Sequence, residues 1–152
     1  MTDHALRQLI AAFVKALESG DILFLDKFLT PDVVYARLNP RSTEVHGKEE
    51  VIARMEPFFR AFVGWSFNAG DITPDPANRQ VTCSLHITGE NRGEMDFRAM
   101  GQGYYGATGK AFSLPPGRLM LTARGAQIQR IEIEFADGGG LVGIFQQIGP
   151  HR

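Results

Sequence analysis

Cysteine and long apolar runs are scarce in this sequence. Cys83 is the one cysteine, which excludes an internal disulfide framework and favours a reducing compartment. No stretch approaches ~18 uninterrupted apolar residues, so we expect no membrane span. The polar start, Met1–His4, leads straight into an amphipathic pattern and does not resemble a signal peptide. Together these absences predict a cytoplasmic protein.

An excess of charge of one sign is also missing. The 16 Lys and Arg residues nearly balance the 17 Asp and Glu residues, and the net charge is -1. A chain without an excess of positive charge is a poor candidate for binding nucleic acid through phosphate neutralisation. Its 152 residues, 43% of them apolar, predict one globular domain over residues 1–152.

The first residues predict two consecutive helices. Ala5–Ser19 carries apolar side chains at steps of three and four, which is typical of an amphipathic helix. Thr2 or Asp3 can cap its start, and Gly20 suits the left-handed position just past its end. Asp21 can then cap a second, short helix. The two segments predict a helical hairpin with a very short joint.

Prolines limit the helices that follow. Pro31 should stop the second helix, because proline cannot donate the next helical hydrogen bond. A third amphipathic stretch predicts a helix over Lys48–Phe62, entered through a loop at Gly47. Pro57 lies inside this stretch and should kink or split it near Glu56.

Alternating patterns predict that the rest of the chain is mostly strands. Val33–Leu38 is the first strand, ended by Asn39–Pro40. From Trp65 the apolar period changes to two, and four residues of a later strand share one apolar face: Val81, Cys83, Leu85 and Ile87. Further strands are predicted around 119–123 and 131–135, with a glycine-rich loop at 101–109 and a strand end at glycines 138–140. Helices followed by four or five antiparallel strands predict an α+β fold, whose bent sheet can enclose a cavity.

Five short segments spread over nearly the whole chain carry a family resemblance. They are Phe13–Asp21, Phe28–Val33, Val45–Glu49, Thr108–Lys110 and Gly140–Gly149. In this order and spacing they resemble the nuclear-transport-factor-2-like fold, specifically its SnoaL-like polyketide cyclase and ester cyclase branch. The resemblance implies a cone-shaped, curved antiparallel sheet wrapped around three N-terminal helices, often dimeric. That family contains cyclases, isomerases, epoxide hydrolases and non-catalytic binding proteins, so the fold alone does not give the function.

The catalytic residues implied by the resemblance do not carry over one by one. SnoaL-like cyclases have a histidine in a middle-strand run, and Asn91 occupies that position here. Asparagine can hold a hydrogen bond but cannot exchange a proton near neutral pH. Ketosteroid-isomerase relatives use a first-helix tyrosine and a first-strand carboxylate, and this chain has Phe13 and Arg37 there. Asp96 and Arg98 share the chemistry of epoxide hydrolases, but they precede the glycine-rich loop.

Asp71 is the candidate general base. It follows Trp65, Phe67 and Ala69 at two-residue steps, so strand geometry predicts that it shares their apolar face. An acid at the end of an apolar stripe is partly desolvated, which favours its use as a base. The alternative is that Asp71 lies beyond the buried part of the strand, just before Pro74.

Tyr35 and Arg37 are candidates for stabilising negative charge on a ligand. They share one face of the first predicted strand with Val33. If that face points inward, they offer a phenol donor and a fixed cation to an enolate, carboxylate or other oxyanion. If Val34 and Ala36 point inward instead, both side chains lie on the surface, and the alternation leaves both arrangements open.

Aromatic and histidine side chains are the candidate ligand contacts. Trp65 and Phe67 lie on the apolar face that Asp71 is expected to extend. His46 can line the cavity mouth or serve as a turn or capping group. Tyr104 and Tyr105, in the glycine-rich loop, can form a lid over an aromatic ligand or pack against the domain.

Other polar side chains have a structural interpretation. His86 lies in a polar row that predicts a surface facing solvent or a dimer partner. Cys83 is expected to be a packed core thiol. Glu132 and Glu134 are better explained by ion pairs with arginines of the neighbouring strand than by acid–base catalysis. No cluster of His, Cys and carboxylate residues has metal-ligand spacing, so no metal site is expected.

Three hypotheses about function follow. The first is a cofactor-free cyclase or isomerase, in which Asp71 abstracts a proton from an apolar or aromatic carbonyl compound. Tyr35, Asn91 or Arg37 would then stabilise the enolate. The second is a non-catalytic ligand-binding or interaction module of the same fold. The third, a protein adaptor, requires a continuous exposed apolar patch. A homodimer that binds neither nucleic acid nor membrane is expected in addition.

Overall fold

Within residues 1–38 and 42–149, which the computed structural model describes, the chain forms four α-helices and ten β-strands. The helices are α1 (Asp3–Ser19), α2 (Ile22–Phe28), α3 (Lys48–Ala61) and α4 (Gly140–Ile148). The strands are β1 (Leu29–Arg37), β2 (Thr43–His46), β3 (Gly70–Asp75), β4 (Gln80–Leu85), β5 (Thr88–Glu90), β6 (Met95–Asp96), β7 (Tyr104–Tyr105), β8 (Ala111–Ser113), β9 (Gly117–Arg124) and β10 (Gln127–Phe135). The predicted end of the first strand at Asn39–Pro40 lies outside the described residues.

The predicted caps of the first two helices are confirmed. The Ala5 amide donates to the Thr2 hydroxyl at 3.0 Å, and the Phe24 amide donates to the Asp21 carboxylate at 3.0 Å. Gly20 follows α1 with φ of 66°, the left-handed conformation that glycine adopts without steric cost. The joint between α1 and α2 is therefore as short as predicted.

Proline placement differs from the prediction in two respects. The short helix α2 ends at Phe28, and Pro31 already belongs to β1. The third helix is not split: α3 continues through Pro57 to Ala61 as one element. Pro57 has no amide hydrogen, so α3 lacks one helical hydrogen bond. Burial of Val51 and Met55 in the core stabilises the helix in spite of this loss.

The main sheet has the strand order β2-β1-β10-β9-β4-β3. Its pairs are antiparallel except β1 with β10, which run parallel with Tyr35 opposite Ile131. The sequence predicted antiparallel strands throughout, and this prediction is wrong for β1 and β10. The long segment between these two strands, with α3 and the later strands, lets them run in the same direction. Two further antiparallel pairs, β5 with β8 and β6 with β7, form separate two-stranded sheets.

Alternation of side chains gives the sheet one apolar face. Val81, Cys83 and Leu85 of β4 are buried, as predicted, and so are Ile131 and Ile133 of β10. This face packs against α1 and α3, and α4 lies beside β8. The predicted α+β class with a curved, open, mostly antiparallel sheet around N-terminal helices is confirmed. Within the described ranges, none of the helices has the length and hydropathy needed to cross a bilayer.

Candidate functional site

A cavity of about 420 Å³ lies between the apolar face of the sheet and helices α1, α3 and α4. Its volume falls within the ~300–1,000 Å³ range of small-molecule pockets. Most of its wall is hydrocarbon or aromatic, contributed by Phe13, Leu17, Val51, Met55, Phe58, Phe59, Trp65, Phe67, Ile87, Leu114, Leu119, Ile131, Ile133, Leu141 and Ile144. The cavity is therefore suited to an apolar ligand body.

Two ring contacts fix one aromatic wall of the cavity. The Phe58 and Trp65 rings stack with centroids 6.0 Å apart, and Phe67 meets Trp65 edge-on at 4.7 Å. The Trp65 indole N–H donates to the Leu17 carbonyl at 2.8 Å. Trp65 and Phe67, both expected to contact a ligand, do line the cavity, and their orientation is set by these contacts.

Polar groups gather where β1 and β2 meet α3. Tyr35 and Arg37 line the cavity from β1, which settles the alternation left open by the sequence in favour of the inward face. Arg54 reaches it from α3, and Thr43, which lies opposite Arg37, reaches it from β2. Gln102 contributes from the glycine-rich loop. This end of the cavity can hold an oxygen-bearing group.

The charge states of the two β1 side chains follow from their surroundings. Burial raises the pKa of Tyr35 to about 12, although the positive charges of Arg37 and Arg54 act in the opposite direction. The phenol is therefore a neutral hydrogen-bond donor at neutral pH. The Nε atom of Arg37 is buried and has no hydrogen-bond partner among residues 1–38 and 42–149. This atom is closed to a ligand oxygen, so the phenol and the rest of the guanidinium group are the donors of the wall.

Glu44 lines the cavity, but its carboxylate points away from it, because Glu44 lies opposite Ala36, whereas Val45 lies opposite the inward-facing Tyr35. Glu44 is exposed, accepts a hydrogen bond from Arg130 at 3.0 Å and pairs with His46 at 3.2 Å. The Arg130 hydrogen bond holds the pKa of Glu44 below its usual value. The carboxylate is therefore ionised at neutral pH but a weaker base than an unpaired one.

Asp71 does not lie where strand alternation predicted. It is exposed and is not among the residues that line the cavity. Its φ is 49°, and the β3–β4 register shifts between Gly70 and Thr73, so the two-residue period that starts at Trp65 is interrupted. The Asp71 carboxylate accepts from the Ser84 hydroxyl at 3.5 Å. The expectation that it extends the apolar face is wrong.

Asn91 is fully buried, but its side chain is occupied by the backbone. Its amide group donates to the carbonyls of Ala61 at 3.2 Å and Gly93 at 2.8 Å, and its oxygen accepts from the Thr108 amide at 2.6 Å. Asn91 is also outside the cavity wall. It ties the end of α3 to the turn at Gly93 and the loop at Thr108, so its amide group is not free to stabilise an enolate.

The remaining expected ligand contacts also lie outside the cavity wall. His46 is exposed beside Glu44, and Tyr104 is 45% exposed with the Arg98 guanidinium 5.3 Å from its ring centroid. Tyr105 is buried against Phe145, with ring centroids 5.5 Å apart. Met100, just before the glycine-rich loop, and Gln102 within it line the cavity instead, which the sequence pattern did not indicate. Arg54 was missed too, although its neighbour Met55 belongs to the apolar stripe of α3 and could have indicated it.

Most side chains that were predicted to have a structural role lie outside the cavity wall, as expected. His86 is exposed and lies 2.9 Å from the Ser113 hydroxyl. Burial raises the pKa of Cys83 to about 11, so it stays a thiol in the core. Glu132 accepts from Arg130 at 2.9 Å, an arginine of its own strand and not of the neighbouring one. Among the described residues no group of three or more His, Cys, Asp or Glu side chains could hold a metal ion.

The SnoaL-like domain family matches residues 10–131. The chain belongs to this family. This agrees with the resemblance found in the sequence and with the open, curved sheet. A comparison with curated proteins gives no match.

Several solved structures share the fold over almost the full length. A proposed SnoaL-like polyketide cyclase from Jannaschia sp. CCS1 is 16% identical, with 95% of this chain and 92% of that chain covered and a TM-score of 0.73. A proposed polyketide cyclase from Xanthomonas campestris pv. campestris is 16% identical over 97% and 99%, with a TM-score of 0.72. AclR from Streptomyces galilaeus, a proposed hydroxylase, is 16% identical over 97% and 98%, with a TM-score of 0.74. At these identities the likeness shows the fold alone.

Proposed function

We propose that this SnoaL-like domain binds an apolar or aromatic carbonyl compound, with the carbonyl oxygen held by Tyr35 and Arg37. The observation that carries the proposal is the placement of these two donors in the wall of an otherwise apolar cavity. The neutral Tyr35 phenol and the Arg37 guanidinium group both offer hydrogen bonds there. A carbonyl oxygen supplies the matching acceptor.

The same two groups support cofactor-free proton abstraction. Removing a proton next to a carbonyl moves negative charge onto its oxygen, and donors fixed in a low-dielectric cavity stabilise that charge. Among the described residues that line the cavity, none presents a carboxylate to it, because that of Glu44 lies on the opposite face of the sheet. The two donors therefore stabilise the enolate while solvent takes the proton. A proton then returns to another carbon for isomerisation, or the enolate carbon attacks a second carbonyl for cyclisation.

The second candidate is binding without turnover. It is favoured by the position of the Glu44 carboxylate, which Arg130 and His46 hold on the outer face of the sheet, away from the cavity. The homodimer and the absence of a cofactor stay predictions from the resemblance.

Trp65 provides a direct test of binding, because it is the only tryptophan of the chain and lines the cavity. Titration with 2-acetonaphthone, an aromatic ketone, should quench its fluorescence saturably. Tyr35→Phe should weaken binding about tenfold through loss of one buried hydrogen bond. Tyr104→Phe, which changes an exposed tyrosine outside the cavity wall, is the matched control and should bind normally. Absence of saturable quenching contradicts the proposal.

Hydrogen exchange distinguishes turnover from binding. In D₂O the methyl protons of 2-acetonaphthone exchange through its enolate, and NMR follows their loss. Exchange faster than in buffer, and slowed in Tyr35→Phe, supports enolate formation in the cavity. Saturable binding with exchange at the buffer rate supports the binding module instead.

A further inference from the structure

One end of the cavity is positively charged. Arg37 from β1 and Arg54 from α3 both line the cavity. Both charges act on the same Tyr35 hydroxyl, which places the two guanidinium groups around one region of the wall. Two arginines at one end of an apolar pocket are more than a neutral carbonyl oxygen requires.

Arg37 gives stronger evidence for an anionic ligand than Arg54 does. Its Nε atom is buried without a hydrogen-bond partner among residues 1–38 and 42–149. A buried charged donor without an acceptor is unfavourable, and native proteins contain few of them. The Nε atom itself is closed to a ligand, but a negatively charged ligand group beside the guanidinium offsets the cost of this charge.

The start of α4 adds further donors to the same cavity. Gly140, Leu141 and Val142 form the first turn of this nine-residue helix and line the cavity. The cap residue Gly139 supplies no side-chain acceptor to that turn. The first amides of a helix lack intrahelical partners and carry partial positive charge, so they favour an anion nearby.

The acidic residue among the described residues of the cavity wall does not cancel this charge. The Glu44 carboxylate lies on the opposite face of the sheet, where it accepts from Arg130 at 3.0 Å and pairs with His46 at 3.2 Å. Its negative charge is therefore offset by groups outside the cavity wall. The charges of Arg37 and Arg54 remain for a ligand.

We propose that the ligand of this cavity carries a carboxylate on its apolar ring body, bound by Arg37 and Arg54 at the first turn of α4. The inference rests on the proposed function. It narrows the ligand class from carbonyl compounds in general to ring-bearing carboxylic acids.

Two probes of the same shape test the charge. Naphthalene-2-carboxylate and 2-acetonaphthone differ only in an ionised oxygen against a methyl group. Calorimetric titration should give the carboxylate an affinity about tenfold or more above that of the ketone, since charge-assisted hydrogen bonds are the stronger ones. Added salt should weaken carboxylate binding and leave ketone binding unchanged.

Variants assign the effect to the two arginines. Arg37→Met and Arg54→Met should each lower the affinity for the carboxylate about tenfold, and that for the ketone by no more than about twofold. Arg118→Met removes an exposed arginine of β9 that lies outside the cavity wall, and should change neither affinity. Circular dichroism verifies folding, and Arg37→Lys, which keeps the charge, should recover part of the carboxylate affinity.

The outcomes separate this inference from the proposed function. Equal affinities for the two probes overturn the inference and leave the proposed function intact. The same holds if Arg37→Met and Arg54→Met lose no more carboxylate affinity than Arg118→Met. Failure of both probes to bind saturably overturns the proposed function, and this inference with it.

Discussion

The indole N–H of Trp65 donates to the backbone carbonyl of Leu17 at 2.8 Å, and both residues line the cavity. Leu17 belongs to the last turn of α1, where helical carbonyls lack intrahelical partners. The Asp21 amide bonds the Ala16 carbonyl, which leaves that of Leu17 to the indole. One hydrogen bond thus completes the end of the helix and fixes an aromatic wall of the cavity.

Asn91→Ala should destabilise the protein strongly. Three hydrogen bonds of the buried side chain would be lost, at about 1 kcal/mol each, so we expect a loss of about 3 kcal/mol or more in the free energy of unfolding. Urea denaturation measures it. Asn78→Ala, which removes an exposed side chain bonded only to Asp75 among the described residues, is the control. Equal stabilities for the two variants would disprove the structural role of the three Asn91 hydrogen bonds.

Removing the charge of Arg37 should make the unliganded protein more stable. Arg37→Met replaces a buried donor that has no partner among the described residues with an apolar side chain of similar length. The expected gain is about 1 kcal/mol in the free energy of unfolding. Arg118→Met, at an exposed position, should stay within about 0.5 kcal/mol of the parent. A clear loss of stability in Arg37→Met would mean that the guanidinium is satisfied in solution.

Tyr35 should make stability depend on alkaline pH. Its pKa is about 12 in the folded protein against 10.0 ordinarily, because of burial. The folded state holds this proton more tightly, so its contribution is complete below pH 10 and is lost as pH rises from 10 to 12. Up to about 2–3 kcal/mol is involved.

Tyr35→Phe isolates this contribution from those of the other alkaline groups. Urea denaturation at a series of alkaline pH values should show a shallower fall in stability for Tyr35→Phe than for the parent. Ultraviolet absorption should also show that the tyrosinate with the highest pKa is missing. A parent and variant with parallel stability curves would contradict the burial of the phenol.

Gly143→Ala should displace α4 from the cavity. A Cβ at this position would overlap the backbone carbonyl of Gly138, and neither backbone segment can turn aside as a flexible side chain does. Overpacking of this kind costs about 1–3 kcal/mol in stability. Gly106→Ala adds a Cβ in open space and is the control. Thermal denaturation of both variants, with Trp65 quenching, tests the effect on the fold and the cavity.

Asp71→Asn should leave ligand binding and proton exchange unchanged. The side chain is exposed and outside the cavity wall, and asparagine tolerates the left-handed backbone there as well as aspartate does. The 2-acetonaphthone titration and NMR exchange described above check this. A loss of exchange in Asp71→Asn, with binding kept, would restore the base role first suggested by the sequence.

Local chemistry explains what the sequence predicted well. The caps Thr2 and Asp21 and the left-handed Gly20 act on neighbouring residues, so their roles follow from position alone. The alternation of buried and less buried side chains in β4 could be predicted for the same reason, because it depends only on neighbouring residues. Asp71 was misplaced because positive φ values at Asn68 and Asp71 interrupt the period of two, a conformation that Asn and Asp adopt more readily than most residues.

The site was harder to predict because its residues come from distant segments. Tyr35 and Arg37 were identified, but their face depends on the parallel neighbour β10. Arg54 and Gln102 reach the same cavity from a helix and a loop that share no motif with β1. Asn91 matched a catalytic position of the family, and only its three hydrogen bonds reveal a structural role.

The parallel pairing of β1 with β10 also dictates when the site can form during synthesis. Tyr35 is synthesised almost a hundred residues before its neighbour Ile131. The strand that presents the phenol and guanidinium therefore stays unpaired on that edge until β10 has been synthesised. Nascent chains stopped before residue 127 cannot assemble the pocket, so ligand capture has to follow the synthesis of β10.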